Sequence, residues 1–87
     1  MPYTVSLKPR AEKYLDTLRD ARLYQRLRDA IGTLAANPRP PGCLKMKGGD
    51  ALYRIRVGDF RIIYQIQDAV LVVLVLRIGN RREIYRE

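Results

Sequence analysis

The strongest pattern in this sequence is an alternation of apolar and basic residues that begins at position 53. Tyr53, Ile55 and Val57 alternate with Arg54 and Arg56. Successive residues of a β-strand point to opposite faces of a sheet. The segment therefore predicts a strand with one apolar face and one basic face.

A second strand is predicted after a tight turn at 58–59. It places Phe60, Ile62 and Tyr64 on one face and Arg61 on the other. If the two apolar rows share one core, the arginines of both strands converge on the opposite side of the hairpin. Guanidinium groups are planar, permanently charged donors for phosphate oxygens, so this face suits the binding or cleavage of a phosphodiester. The alternative is that these arginines only solvate an exposed sheet face.

The N-terminal half predicts a strand and a helical hairpin. Residues 3–7 alternate as a short strand, and Pro9 suits the first turn of a helix. Asp20 can cap a second helix, which the proline-rich segment 37–42 ends. Apolar residues recur at helical spacing at Ala11, Tyr14, Leu15 and Leu18, and again at Leu23, Leu27, Ala30, Ile31 and Leu34.

From Leu44 onward the sequence is typical of β-structure. It predicts three strands of a meander and then a C-terminal segment that is a short strand or a tail, at 51–57, 60–66, 70–77 and 83–86. Residues 70–76 are apolar on both faces, which favours an interior strand covered by a helix. The predicted fold class is α+β: an N-terminal strand, a helical hairpin and an antiparallel β-meander, with the helices on one face of the sheet.

Length and charge indicate one small basic domain that spans residues 1–87. The chain has 17 basic and 9 acidic residues and a net charge of +8. The excess is shared evenly between the two halves, so it is not a basic tail on a neutral domain. Such a domain attracts polyanions, which include nucleic acid, acidic proteins and anionic membrane surfaces.

Several kinds of chemistry are disfavoured by the composition. The chain has no histidine, which excludes a histidine-based ribonuclease mechanism and makes a transition-metal site improbable. Cys43 is the single cysteine, so no intrachain disulfide can form, as is typical of the cytoplasm. No cofactor motif is present, and the apolar run at 69–76 is far shorter than the about 20 residues of a membrane-spanning helix.

The order of the elements and two sequence segments resemble the RelE/ParE superfamily of bacterial toxin–antitoxin toxins. The segments are YRIRVGDFRIIY at Tyr53–Tyr64 and RIGNRREIYR at Arg77–Arg86. The resemblance covers essentially the whole chain. It implies the compact fold of microbial ribonucleases and two possible activities, one for each branch of the superfamily.

In the RelE branch, the resemblance implies a metal-independent endoribonuclease that cuts mRNA in the ribosomal A site. There the ribose 2′-OH attacks the adjacent phosphate and leaves a 2′,3′-cyclic phosphate and a 5′-OH. Matching positions imply that Arg56 and Arg61 neutralise the phosphorane, Arg81 stabilises the leaving 5′-oxygen and Tyr85 orients the base. The implied RNA-binding residues are Arg54, Lys47, Lys45 and Arg82.

Two positions depart from the RelE pattern. Arg54 and Arg56 stand where well-known members of that branch carry lysines, and Asn80 stands where several carry a histidine. Arginine does not give up its proton in proteins, so the sequence leaves the general base open. Cleavage by this chain would rest on electrostatic stabilisation, with the ribosome supplying missing groups.

Two other activities therefore stay open. The first is that of the ParE branch, whose members share the fold and inhibit DNA gyrase without nuclease chemistry. The second is a non-catalytic relative that binds only an antitoxin or RNA. The expected partners are a cognate acidic antitoxin, the ribosome and mRNA, with DNA gyrase as the alternative target and no membrane partner.

Overall fold

The computed structural model describes residues 2–47 and 51–84. Within those ranges the chain forms a strand, two helices, four further strands and a short C-terminal helix. In chain order these are β1 (Thr4–Leu7), α1 (Pro9–Asp16), α2 (Ala21–Thr33), β2 (Leu44–Lys45), β3 (Leu52–Val57), β4 (Phe60–Gln67), β5 (Val72–Asn80) and α3 (Arg81–Ile84). The predicted α+β class, with its helical hairpin followed by a meander, is confirmed.

The strands form one five-stranded sheet in the order β1-β5-β4-β3-β2. β1 runs parallel to β5, and every other neighbouring pair is antiparallel. β5 is an interior strand, as its apolar faces predicted. The parallel β1–β5 pair requires a crossover connection, which α1 and α2 supply on one face of the sheet.

The helices begin where the sequence signals predict. Pro9 is the first residue of α1. The Asp20 carboxylate accepts hydrogen bonds from the backbone N–H groups of Arg22 and Leu23, at 3.0 and 3.1 Å, and so caps α2. None of the helices in the described ranges is long and apolar enough to cross a bilayer.

The core lies between the helical hairpin and one face of the sheet. Tyr64 is fully buried at its centre, and its hydroxyl donates a hydrogen bond of 2.7 Å to the carbonyl oxygen of Pro38. This bond ties the loop after α2 to the middle of the sheet. The buried residues of the core are Ala11, Leu15, Leu27, Ile31, Leu34, Ile55, Ile62, Tyr64, Ile66, Val73, Val75 and Ile78.

An irregularity in the β4–β5 ladder keeps both halves of β5 facing the core. Ile63 pairs with Arg77, whereas the next residue, Tyr64, pairs with Val75. Leu76 is therefore an extra residue on β5, a β-bulge. Without the bulge, strict alternation could not place both Val75 and Ile78 on the helix side.

The structure differs from the prediction at both ends of β5, which begins at Val72 rather than at position 70 and ends at Asn80 rather than at position 77. The predicted strand began at position 70, but Asp68–Val70 form a 3₁₀ turn and Leu71 adopts a left-handed conformation with φ of 54°. Val70 is consequently exposed.

The C-terminal expectation of a strand or tail at 83–86 was wrong for its described part, which lies in α3. Asn80 accepts a hydrogen bond from the backbone N–H of Arg82, and the Glu83 carboxylate accepts one from the backbone N–H of Asn80. These reciprocal bonds form a capping box, which starts a helix.

Candidate functional site

The arginines of β3 and β4 converge on the sheet face that the helical hairpin leaves uncovered. Arg56 pairs directly with Arg61 across the hairpin, and Arg54 lies two residues before Arg56 on the same face. They surround a cavity of about 290 Å³, which we call the arginine cavity; its lining residues are Gly42, Leu44, Arg54, Arg56 and Arg61. The predicted convergence is thus observed.

Backbone carbonyl groups of the β3–β4 turn hold two of these guanidinium groups in place. Arg56 Nε donates to the carbonyl oxygen of Gly58 at 3.1 Å, and Arg61 Nη1 donates to that of Phe60 at 3.1 Å. Gly58 has φ of 60°, a conformation that favours glycine. The turn therefore fixes the positions of two cations that would otherwise repel each other.

The electrostatic environment of Arg61 is dominated by positive charge. Partial burial lowers the pKa of its guanidinium, and the charges of Arg56, Arg54 and Arg81 lower it further, while Asp59 acts in the opposite direction. Within residues 2–47 and 51–84, Arg56 and Arg61 form no ion pair with a carboxylate. A bound anion would stabilise such a site, because it offsets the repulsion among the arginines.

An apolar residue lies beneath the arginines. Ile63 pairs with Arg54 on one side and Arg77 on the other, and only 8% of it is exposed although it points away from the helices. The alternation of β4 predicts this face for Ile63 but not its burial there. Exclusion of water by such a surface strengthens the interaction of nearby cations with a phosphate.

Arg81 and Arg82 border a separate depression next to the arginine cavity. It measures about 200 Å³ and is lined by Asp59, Asn80, Arg81 and Arg82. The backbone N–H of Arg81 donates to the carbonyl oxygen of Asp59 at 2.9 Å, which ties α3 to the β3–β4 turn. This contact explains why the charge of Arg81 reaches Arg61.

The two lysines lie on the other side of the arginine cavity. Together with Leu44, Met46 and Arg54 they line a second depression of about 290 Å³, which we call the lysine cavity. Lys45 pairs with Tyr53, so its register assigns it to the helix side of the sheet, whereas Leu44 pairs with Arg54. Lys45 and Lys47 are both exposed.

Sequence reasoning missed the neutral residues of the site. Gly42 and Leu44 line the arginine cavity because β2 folds back against β3, a pairing that no local signal predicts. Tyr85, which was predicted to take part in the chemistry, lies outside the described residues.

A comparison with protein families identifies the chain. The sequence model of the family described as "ParE toxin of type II toxin-antitoxin system, parDE" matches residues 5–85. The chain belongs to this toxin family. It is accordingly a type II toxin of the RelE/ParE superfamily, as the sequence segments predicted.

Curated relatives and solved structures agree with membership of the RelE/ParE superfamily. The chain is 31% identical to the toxin RelG of Mycobacterium tuberculosis over 99% of both chains, and 29% identical to the putative toxin RelE1 of Methanocaldococcus jannaschii over 99% of this chain and 98% of that one. The RelE of the archaeal RelE–RelB complex from Pyrococcus horikoshii superposes with a TM-score of 0.82 at 28% identity and covers 100% of both chains. A chain of the toxin–antitoxin complex RelBE2 from Mycobacterium tuberculosis superposes with a TM-score of 0.78 at 26% identity. The match covers 93% of this chain and 100% of that one.

Proposed function

We propose that this RelE/ParE-family toxin is a ribosome-dependent mRNA endoribonuclease that acts without a metal ion. The observation that carries the proposal is the arginine cavity, in which Arg54, Arg56 and Arg61 surround a space open to solvent. The chain is similar to relatives named RelE and RelG, which favours the nuclease branch.

The proposed reaction is an attack by the 2′-OH of a nucleotide on its own 3′-phosphate. The O2′–P bond forms, the P–O5′ bond breaks, and the products carry a 2′,3′-cyclic phosphate and a 5′-OH. Arg56 and Arg61 would stabilise the extra negative charge of the phosphorane, and Arg81 would stabilise the leaving 5′-oxygen. Lys45, Lys47, Arg54 and Arg82 would bind neighbouring phosphates.

Proton transfer requires other groups, because arginine stays protonated throughout. Within this proposal the group that accepts the 2′-OH proton and the group that protonates the departing 5′-oxygen both belong to the ribosome–mRNA complex, which accounts for the dependence on ribosomes. Tyr85 is proposed to orient the base. These roles separate charge stabilisation, which the toxin contributes, from proton transfer, which the ribosome contributes.

The proposal is tested by primer extension on mRNA from a translation reaction with purified toxin. New 5′ ends that require ribosomes are expected with the native chain and should be nearly absent with Arg61→Ala. The matched control is Arg19→Ala, which removes an exposed arginine from the connection between α1 and α2. Cleavage that Arg61→Ala leaves unchanged would refute the role of the arginine cavity.

A second candidate function is inhibition of DNA gyrase, and the family description favours it because it names ParE. The arginines would then bind the target without performing chemistry. A supercoiling assay on the same protein preparation distinguishes the two. Intact mRNA together with inhibited gyrase would assign the toxin to the ParE branch.

We also propose a cognate antitoxin as the binding partner. Related toxins have been solved as RelE–RelB complexes. A chain with a net charge of +8 suits an acidic and partly disordered partner that covers the basic sheet face. Co-expression with an acidic protein encoded next to the toxin gene should yield a stable complex in which Arg61 is shielded.

A further inference from the structure

A cavity of about 570 Å³ lies beside the arginine cavity, between the start of α2 and the β3–β4 turn. We call it the α2 cavity. Its basic residues are Arg22 and Arg26, which lie one helical turn apart on α2, and Arg56 on the opposite wall. None of these residues is required by the reaction proposed above except Arg56.

The guanidinium of Arg26 lies directly over the turn. A Cβ atom placed on Gly58 would be 3.5 Å from Arg26 Nη2 and 3.6 Å from Nη1, so the turn and the side chain are in contact distance. Within the described ranges, neither Arg22 nor Arg26 forms an ion pair with a carboxylate. Two guanidinium groups on one helix face are therefore available to an anion.

Two acidic residues also line this cavity, and they limit what it can bind. The Asp20 carboxylate is engaged by the N–H groups at the start of α2, at 3.0 and 3.1 Å. Asp59 lies in the turn and is exposed. Three cations against two carboxylates suit a singly charged group such as one phosphodiester better than a dense cluster of negative charge.

Arg56 lines both the α2 cavity and the arginine cavity, so the two adjoin. On the opposite side, Leu44 and Arg54 line both the arginine cavity and the lysine cavity. Shared lining residues thus link the three cavities in the order lysine cavity, arginine cavity and α2 cavity, and Arg61 lines the middle one. A polynucleotide carries one phosphate for each nucleotide, so a strand held at Arg61 needs binding groups for its flanking phosphates.

We infer that the α2 cavity binds a phosphodiester of the RNA strand next to the cleaved one, with Arg26 and Arg22 as its ligands. This inference rests on the proposed nuclease function, because it assumes that the strand occupies the arginine cavity. An acidic peptide could also contact these arginines. RNA is favoured because Arg56 lines both the α2 cavity and the arginine cavity. A strand held in the arginine cavity would therefore have its next phosphate near Arg26.

The test measures binding of 2′-O-methyl oligonucleotides, which lack the attacking hydroxyl and are not cleaved. Fluorescence anisotropy at low salt is compared for a dinucleotide, which has a single phosphodiester, and a nonamer. Arg26→Gln should weaken nonamer binding about 5- to 10-fold, as expected for the loss of one solvent-exposed hydrogen bond, and leave dinucleotide binding nearly unchanged. The slope of log K against log salt for the nonamer should become shallower by about 0.7, because one phosphate is no longer neutralised.

Arg19→Gln is the matched control, because it removes the same charge from an exposed position outside the α2 cavity. It should change dinucleotide and nonamer affinities by the same small factor. Equal effects of Arg26→Gln and Arg19→Gln on the nonamer would overturn the inference. So would an equal dependence on Arg26 for a poly-glutamate peptide of matched charge, which would make the cavity a general anion site.

Arg61→Ala in the same titration separates this inference from the proposed function. It should weaken both oligonucleotides, because both must occupy the arginine cavity. If it weakens neither, the proposed RNA site fails. If it weakens both and Arg26→Gln has no length-dependent effect, only the α2 cavity assignment fails. Circular dichroism of each variant confirms that the helices are intact.

Discussion

Two pairs of arginines in this small domain have opposite surroundings. Arg28 donates to the Tyr24 hydroxyl and forms an ion pair with Glu12 at 3.0 Å, and these contacts raise the pKa of its guanidinium. Arg39 forms an ion pair with Asp68 at 2.8 Å, and hydrogen bonds to Asp68 and Tyr53 raise its pKa.

Arg56 and Arg61 have no such partners in the described part of the chain. They lie opposite each other across the β3–β4 hairpin, and the pKa of Arg61 is lowered by partial burial and by its cationic neighbours. Like charges directly opposite in a sheet are destabilising. Arg28 and Arg39, each paired with a carboxylate, thus link separate segments of the chain, whereas Arg56 and Arg61 repel each other and leave donors for a ligand.

The largest expected effect comes from removing one arginine of the Arg56–Arg61 pair. Arg61→Ala should reduce ribosome-dependent cleavage about 100- to 1,000-fold, the loss typical of one preorganised donor to a transition-state oxyanion. The midpoint of thermal unfolding should stay the same or rise, because repulsion with Arg56 is removed. A parallel fall in stability and cleavage would instead make Arg61 a structural residue.

A second change places a carboxylate beside the arginine cavity. Leu44 is 52% exposed and pairs with Arg54 at the rim of the cavity. Leu44→Glu should compete with phosphate and lower cleavage about 10-fold, while a cross-strand pair with Arg54 raises stability by about 0.2–1 kcal/mol.

Leu44→Gln is the control for the Leu44→Glu variant, because it changes the size and polarity of the side chain without adding charge. It should leave both cleavage and stability close to those of the native chain. Unfolding by urea and primer extension measure the two effects. A fall in cleavage in both variants would show that the apolar side chain matters, rather than the added negative charge.

The arginines of the basic sheet face could be predicted from the sequence because their placement depends on a local rule. Alternation with a period of two assigned Arg54, Arg56 and Arg61 to one face, and the turn at 58–59 brought the strands together. The ion pairs of Arg28 and Arg39 could not be predicted in this way. Arg39 and Asp68 are separated by 29 residues, and they meet only because the loop after α2 packs against the end of β4.

Other features escaped prediction for related reasons. The bulge at Leu76 is a property of the β4–β5 pairing rather than of either strand alone. The pairing of β2 with β3 involves only two residues on each strand. For α3, by contrast, a local signal is present in the sequence, because Asn80 and Glu83 have the spacing of a capping box.

A smaller effect is expected from removing an arginine that has a carboxylate partner. Arg39 lies over the ring of Tyr53, 5.2 Å from its centroid. Arg39→Ala should lower the free energy of unfolding by about 0.5–1 kcal/mol, because this cation–π interaction is removed. The solvent-exposed ion pair with Asp68 adds little to that figure.

Cleavage by the Arg39→Ala variant should be close to that of the native chain, in contrast to Arg61→Ala. Arg39→Lys keeps the charge but loses the planar group, and it should recover only part of the stability. Urea unfolding with both variants measures the difference. A strong loss of cleavage in a folded Arg39→Ala protein would end the distinction between the two kinds of arginine.

The smallest expected effect is a dependence of stability on pH at the Arg39–Asp68 pair. The pKa of Asp68 is lowered from its ordinary value of 3.8 by the hydrogen bonds from Arg39 and then from Tyr3. Since the carboxylate is more acidic in the folded state, the unfolded state binds the proton first as the pH falls. The contribution of Asp68 to stability is therefore fully present above about pH 4 and is lost as the pH falls through the lower folded value.

Asp68→Asn removes the charge that titrates, so it isolates this contribution. The variant should unfold at a lower temperature than the native chain at pH 6. This difference between the two unfolding temperatures should become smaller as the pH falls from 4 to 2. High salt should also make the difference in unfolding temperature smaller, because the Arg39–Asp68 pair is exposed and its attraction is screened. Adding Arg39→Gln should remove most of the pH dependence of this difference, since Arg39 is the main cause of the lowered pKa and Tyr3 the second. A difference in unfolding temperature that stays constant from pH 6 to 2 would mean that Asp68 stabilises the turn through its shape rather than through its charge.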